Sequence, residues 1–155
     1  MNTTQRTVLL ILRLLIGWHM LYEGIVKLIN PEWTAAGFLS QSQWILSGFA
    51  EWVITHEGVL KAVDLFNIWG LIAIGAGLIL GLFTRVASFA GAALLLIYYL
   101  NNPPFIGMEM LAAVEGNYLI VNKTLIEAVT LMMLGVFPAS DIFGLDSLLK
   151  NRKKQ

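Results

Sequence analysis

Residues 8–29 read VLLILRLLIGWHMLYEGIVKLI, an apolar run long enough to cross about 30 Å of hydrocarbon as a helix. It exceeds the h-region of a signal peptide and no small-residue cleavage site follows it, so it is expected to remain as a transmembrane helix. Arg13, His19, Glu23 and Lys27 interrupt the run. At 100° per residue these four fall within an arc of about 120°, and Leu, Ile and Val hold the other face. A charge at the bilayer centre costs at least about 2.5 to 3.5 kcal/mol on insertion scales. The arc must therefore face the protein interior, and other helices must supply its partners.

Three further apolar segments follow, Asp64 to Phe83, Val86 to about Asn101, and Asn117 to Phe137. Only Thr84 and Arg85 separate the second and third segments, which predicts an antiparallel helical hairpin. The expectation is one all-α domain over residues 1–155, an integral membrane four-helix bundle with a basic tail over 138–155. Composition agrees, with 57% hydrophobic and 13% charged residues against about 25% charged in soluble domains. Ten basic and ten acidic residues cancel, so no global field draws nucleic acid. The chain has no cysteine, which excludes disulfides, thiolate metal sites, thioether haem and a Cys-x-x-Cys redox pair.

Arg6, Arg85, Lys150, Arg152, Lys153 and Lys154 fall on one side of this topology, whereas the two long connections on the other side contribute Lys61 among several glutamates, including Glu109 and Glu115. Cytoplasmic loops retain Lys and Arg, so both termini are expected in the cytoplasm, in the inner membrane of a bacterium. In the first long connection Ile45, Leu46, Phe49 and Val53 recur at helical spacing among Trp33, Trp44 and Trp52. That pattern predicts amphipathic helices at the outer membrane surface. Pro103-Pro104 ends the third helix. Ala73, Gly77 and Gly81 form a small-residue stripe that Ser88 and Ala92, or Ala87 and Gly91, can meet.

Counting 1.5 Å per residue from each helix centre puts Glu23 and Lys123 both roughly 6 to 7 Å outward of the midplane, and His19 and Glu127 near it. Glu23 with Lys123 and His19 with Glu127 are the expected pairs, since an unpaired member would neutralise. Two other readings stay open: Thr124-x-x-Glu127 as a capping box opening a shorter helix, and charges that only hold the bundle together. With His19 and His56 the sole histidines, neither a metal site nor covalent haem is expected.

Arg13-Leu14-Leu15-Ile16-Gly17 with Gly24-Ile25-Val26-Lys27-Leu28, Gly81-Leu82-Phe83-Thr84-Arg85, Glu115-Gly116-Asn117-Tyr118, Asn122-Lys123-Thr124-Leu125-Ile126-Glu127 and Phe143-Gly144-Leu145-Asp146 together resemble the DoxX/DoxD family. Pro31-Glu32-Trp33, Asp64-Leu65-Phe66-Asn67-Ile68-Trp69-Gly70 and Tyr98-Tyr99-Leu100 are similar to its DoxD branch, the membrane subunit of thiosulfate:quinone oxidoreductase. The resemblance implies a four-helix membrane protein tied to quinone-linked sulfur oxidation or redox stress, with a DoxA-like second subunit. Quinone is then the expected cofactor, since apolar walls beside proton-accepting groups suit it. His19, Glu23 and Glu127 are the expected proton-handling residues, and Arg13, Lys27 and Lys123 the residues that hold charge or an anionic substrate. Trp69, Tyr98 and Tyr99 are expected to line the pocket, with packing or aromatic-belt roles as the alternative. A membrane scaffold or accessory subunit of a larger complex, and a small oligomeric solute transporter, are the competing functions.

Overall fold

A computed structural model describes residues 2–104, 117–137 and 144–146. They are mostly helical. In order they form α1 (Thr3–Ile29), α2 (Ala36–Leu39), α3 (Ser47–Thr55), α4 (Glu57–Leu80), α5 (Thr84–Asn101), the strands β1 (Asn117–Tyr118) and β2 (Val121–Asn122), and α6 (Lys123–Val136). Most of the second long connection, with Glu109 and Glu115, and the basic tail from Lys150 lie outside the described residues.

α1 begins five residues before the apolar run because Asn2 and Gln5 close a reciprocal cap, each side chain accepting from the other's backbone N–H. α4 begins seven residues before Asp64, its first turn held by Glu57 and Lys61 at 2.6 Å. It also stops three residues earlier than expected, at Leu80, because Gly81 follows with a φ of 65°, the left-handed conformation that glycine adopts without strain. The largest correction concerns the fourth segment. Residues 117–122 are not helical but a hairpin, with Asn117 paired to Asn122 and Tyr118 to Val121. Leu119 at φ 59° turns the chain, and Asn122 caps α6 by accepting from Leu125 N at 2.9 Å. Thr124 is therefore not the cap, and Glu127 is left to point elsewhere.

α1 packs along α4 and α5 along α6; α4 and α5 join the two pairs, while α1 meets α6 along a looser seam. Close approach of α1 and α4 depends on Gly17, Gly24 and Gly75. A Cβ on Gly75 would stand 2.7 Å from Gly17 O, and one on Gly24 would stand 2.9 Å from Ile72 N. The expected stripe is met in part, since Gly77 does approach Ala87. Met20, Leu71, Leu78, Leu95, Leu131 and Leu134 fill the centre.

The first connection folds as α2 and α3, as its periodicity predicts. Ala50 and Val53 are buried, and Ile45, Phe49 and Trp52 face outward. Asp64 anchors it by accepting from Thr34 Oγ1 at 3.0 Å and Ala35 N at 2.7 Å. At the other end of the molecule, Asp146 accepts from Phe83 N at 2.9 Å and Thr84 N at 3.0 Å, and its own N–H donates to Gly81 O. The C-terminal Gly144-Leu145-Asp146 thus caps the start of α5.

Val8, Leu15 and Trp18 on α1, Phe66 and Trp69 on α4, Val86 on α5, and Val129 and Val136 on α6 are all exposed, Phe66 by 81%. α1 and α4 are each long and apolar enough to cross a bilayer. An apolar belt of this extent has lipid as its natural solvent. These features mark a membrane protein.

Candidate functional site

The polar arc of α1 turns toward α6 and the C-terminal end of α5. His19 Nδ1 stands 3.1 Å from Glu127 Oε1, and both side chains are largely withdrawn from the surface, at 32% and 19% exposure. This is the pair that depth counting predicts. It forms because Asn122 takes over the capping of α6, which frees Glu127 to face the other helix.

The second expected pair does not form. Lys123 is the first residue of α6 and 70% exposed, and its ammonium reaches Glu127 at 4.0 Å, one turn along the same helix. Glu23 is exposed and has no ion-pair partner within 4.0 Å among the described residues; it acts on Lys27 electrostatically. The later start of α6 explains the difference. A helix that begins at residue 123 puts that lysine at the rim rather than inside.

Lys27 is held from three sides. Its ammonium donates to Asn67 Oδ1 at 2.9 Å and lies over the ring faces of Trp33, at 4.8 Å, and Tyr98, at 5.6 Å. The Asn67 amide NH₂ donates to the Tyr98 hydroxyl. Since that phenol oxygen accepts from Asn67, its own proton remains free for an acceptor in front of it. Phe38 of α2 packs edge-on against Tyr98, with ring centroids 5.4 Å apart. Asn101 Nδ2 in turn donates to Phe38 O at 3.3 Å. Trp33 and Phe38 therefore roof this end of the molecule.

Between these groups lies a cavity of about 160 Å³. Met20, Leu71 and Leu95 supply its apolar walls, and His19, Glu23, Lys27, Tyr98, Lys123, Thr124 and Glu127 its polar lining. Six of the nine site residues expected from sequence thus surround one space. Its volume is below the roughly 300 to 1,000 Å³ of drug-sized ligand pockets, so it suits a single small ring or a small anion.

The other three expected residues serve elsewhere. Arg13, 2% exposed, lies six residues before His19 along α1 and is attracted electrostatically to Asp146. Trp69 stands on the outer face of α4 in the apolar belt. Tyr99 is buried, and its hydroxyl donates to Ile120 O at 2.6 Å, tying the hairpin to α5. Asn67, Trp33 and Phe38 were not expected at the site. A lone amide in the apolar stretch between Asp64 and Thr84 was the available signal for Asn67.

A family model, DoxX, matches residues 8–101, which span α1 to α5 and include His19, Glu23, Lys27, Asn67 and Tyr98. Comparison with curated proteins and with solved structures finds no match.

Proposed function

This chain belongs to the DoxX family, and on that premise we propose that it is a quinone-interacting membrane subunit of an oxidoreductase, with α1, α4, α5 and α6 all crossing the bacterial inner membrane and both termini cytoplasmic. Arg6 and Arg85, at the common end of α1 and α5, support that orientation. At that orientation the cavity opens near the outer leaflet.

The observation that carries the quinone reading is the His19–Glu127 pair set in an apolar-walled cavity beside the free proton of Tyr98. A quinone ring needs apolar walls for its faces and hydrogen-bonding groups at its carbonyls. A bound quinone supplies two-electron, two-proton redox chemistry. The chain's own residues supply the proton side. Glu127 fixes the imidazole by its contact with Nδ1, so that Nε2 is the atom that gives or takes a proton. Tyr98 offers a second hydrogen bond, aimed by Asn67. Lys27 keeps a positive charge beside both. With no cysteine in the chain, the electrons come from a donor at its surface, either a DoxA-like partner subunit or an oxidisable sulfur anion drawn to Lys123 at the rim.

Titration of the wild-type protein in lipid nanodiscs with a tail-less benzoquinone tests this. We expect saturable binding of one ring per chain, weakened at least tenfold by His19→Leu, and unchanged by Trp69→Phe on the lipid face. Absence of saturable binding to the wild-type protein, or equal effects of the two replacements, would contradict the proposal.

A further inference from the structure

The hairpin before α6 turns on residues that are the reverse of those water selects. Tyr118 pairs with Val121 across a two-residue loop, and the first loop residue, Leu119, has a φ of 59°. Such a loop ordinarily takes glycine at that position, because an L side chain there brings its Cβ against the backbone carbonyl. Here the strained position holds a leucine and the next an isoleucine. Leu119, Ile120 and Val121 are 58%, 63% and 43% exposed. Three consecutive large apolar side chains are costly to hold in water, whereas lipid takes them up.

The depth of this tip can be counted along α5. Val86 is exposed and follows Arg85, the basic residue of the α4–α5 turn. From Val86 to Tyr99 the helix rises about 20 Å, and the Tyr99 hydroxyl donates to Ile120 O at 2.6 Å. Helical side chains lean back toward the N-terminus, and any tilt shortens the rise along the membrane normal. The tip therefore stands at most about 20 Å from the inner boundary of a hydrocarbon layer about 30 Å thick. α6 gives the same depth, since its 14 residues span about 20 Å. Resting on the orientation proposed above, in which α6 crosses the bilayer, we propose that the tip at Leu119, Ile120 and Val121 is inserted among the acyl chains of the outer leaflet.

Backbone at that depth must find its partners within the protein. Pairing of Asn117 with Asn122 and of Tyr118 with Val121 supplies some, and Ile120 O takes the Tyr99 hydroxyl. Lys123, 70% exposed at the base of the hairpin, is the sole charge in residues 117–126. Its stem lies along hydrocarbon while its ammonium extends to the phosphate layer. The exposed apolar surface continues from the tip to Ile126 and Val129 of α6, so the lipid that solvates the belt also solvates the tip. Because Lys123 and Thr124 line the polar cavity, this leaflet borders the rim of that cavity.

The chain has no cysteine, so single spin labels can be placed cleanly. Leu119→Cys and Ile120→Cys probe the tip, Val129→Cys the belt on α6, and Glu51→Cys the exposed surface of α3. A thermal melt checks each labelled protein, and Ile120→Cys alone decides if the turn at Leu119 rejects its label. In lipid nanodiscs the collision rate with oxygen, which partitions into acyl chains, is compared with that of a water-soluble nickel chelate. We expect the oxygen-to-nickel ratio at both tip positions to exceed that at Glu51 at least fivefold. A smaller ratio at either position puts the tip in water and overturns the inference. Exclusion of both reagents from the tip also overturns it, and means that protein covers the tip, either a second chain or residues 105–116. If the label at Val129 itself gives the ratio of Glu51, it is the crossing of α6 that fails, and the inserted tip falls with it.

Discussion

Lys27 shows how a cation is kept inside an apolar helix. Its charge is met by an amide oxygen and two ring faces rather than by a carboxylate in contact. Asn67 is the pivot, since it accepts from Lys27 and donates to Tyr98. Replacing it by Leu leaves a partly buried ammonium short of an acceptor, which costs about 1 to 3 kcal/mol. Lys27→Met removes the charge together with the need for it. In a thermal-melt double-mutant cycle, Lys27→Met with Asn67→Leu should therefore cost less than the sum of the singles, by about 1 kcal/mol. Strict additivity would mean that the two do not interact. His19 and Glu127 were legible in the sequence because each is ionisable and depth along a helix can be counted. Asn67 was not, because a neutral amide raises no desolvation alarm, and Lys123 was misplaced because its depth depends on where α6 begins.

Where helices begin and end is decided by features that hydropathy does not carry. Tyr118-Leu119-Ile120-Val121 is as apolar as the helix after it, yet Leu119 turns into the left-handed region and Tyr99 ties down Ile120 O. The N-cap that counts is Asn122 rather than the Thr124-x-x-Glu127 pattern that resembles a capping box. Two motifs read separately in the sequence, Gly81 to Arg85 and Phe143 to Asp146, prove to meet within the described residues, with Asp146 capping α5. The pairing of α1 with α4 was also not legible, because Gly75 lies off the stripe of Ala73, Gly77 and Gly81. It yields a contrast between two glycines of one helix. Gly75→Ala drives a methyl into the α1 backbone and should destabilise by about 1 to 3 kcal/mol. Gly70→Ala meets nothing within 4 Å and should stabilise α4 by up to about 1 kcal/mol. Thermal melts that rank the two the other way would show that α1 and α4 do not touch at Gly75.

Taken whole, the molecule divides its polar groups between two ends and leaves its flanks apolar. At one end His19, Glu23, Lys27, Tyr98, Lys123 and Glu127 converge on one cavity; at the other, Arg13 and Asp146 secure the α4–α5 turn. Buried charge therefore has two distinct uses here, and it is the cluster around His19 and Glu127 that surrounds a cavity. The proposal stands on that space. The most direct measurement is the quinone content of the protein drawn from native membranes into lipid nanodiscs without detergent exchange, extracted and quantified by mass spectrometry. We predict close to one quinone per chain in the wild-type protein, and its loss from a His19→Leu/Glu127→Leu double variant, which removes the polar pair without stranding either charge. A wild-type protein that carries no quinone above the level of the surrounding lipid, or a double variant that keeps as much as wild type, would contradict the account.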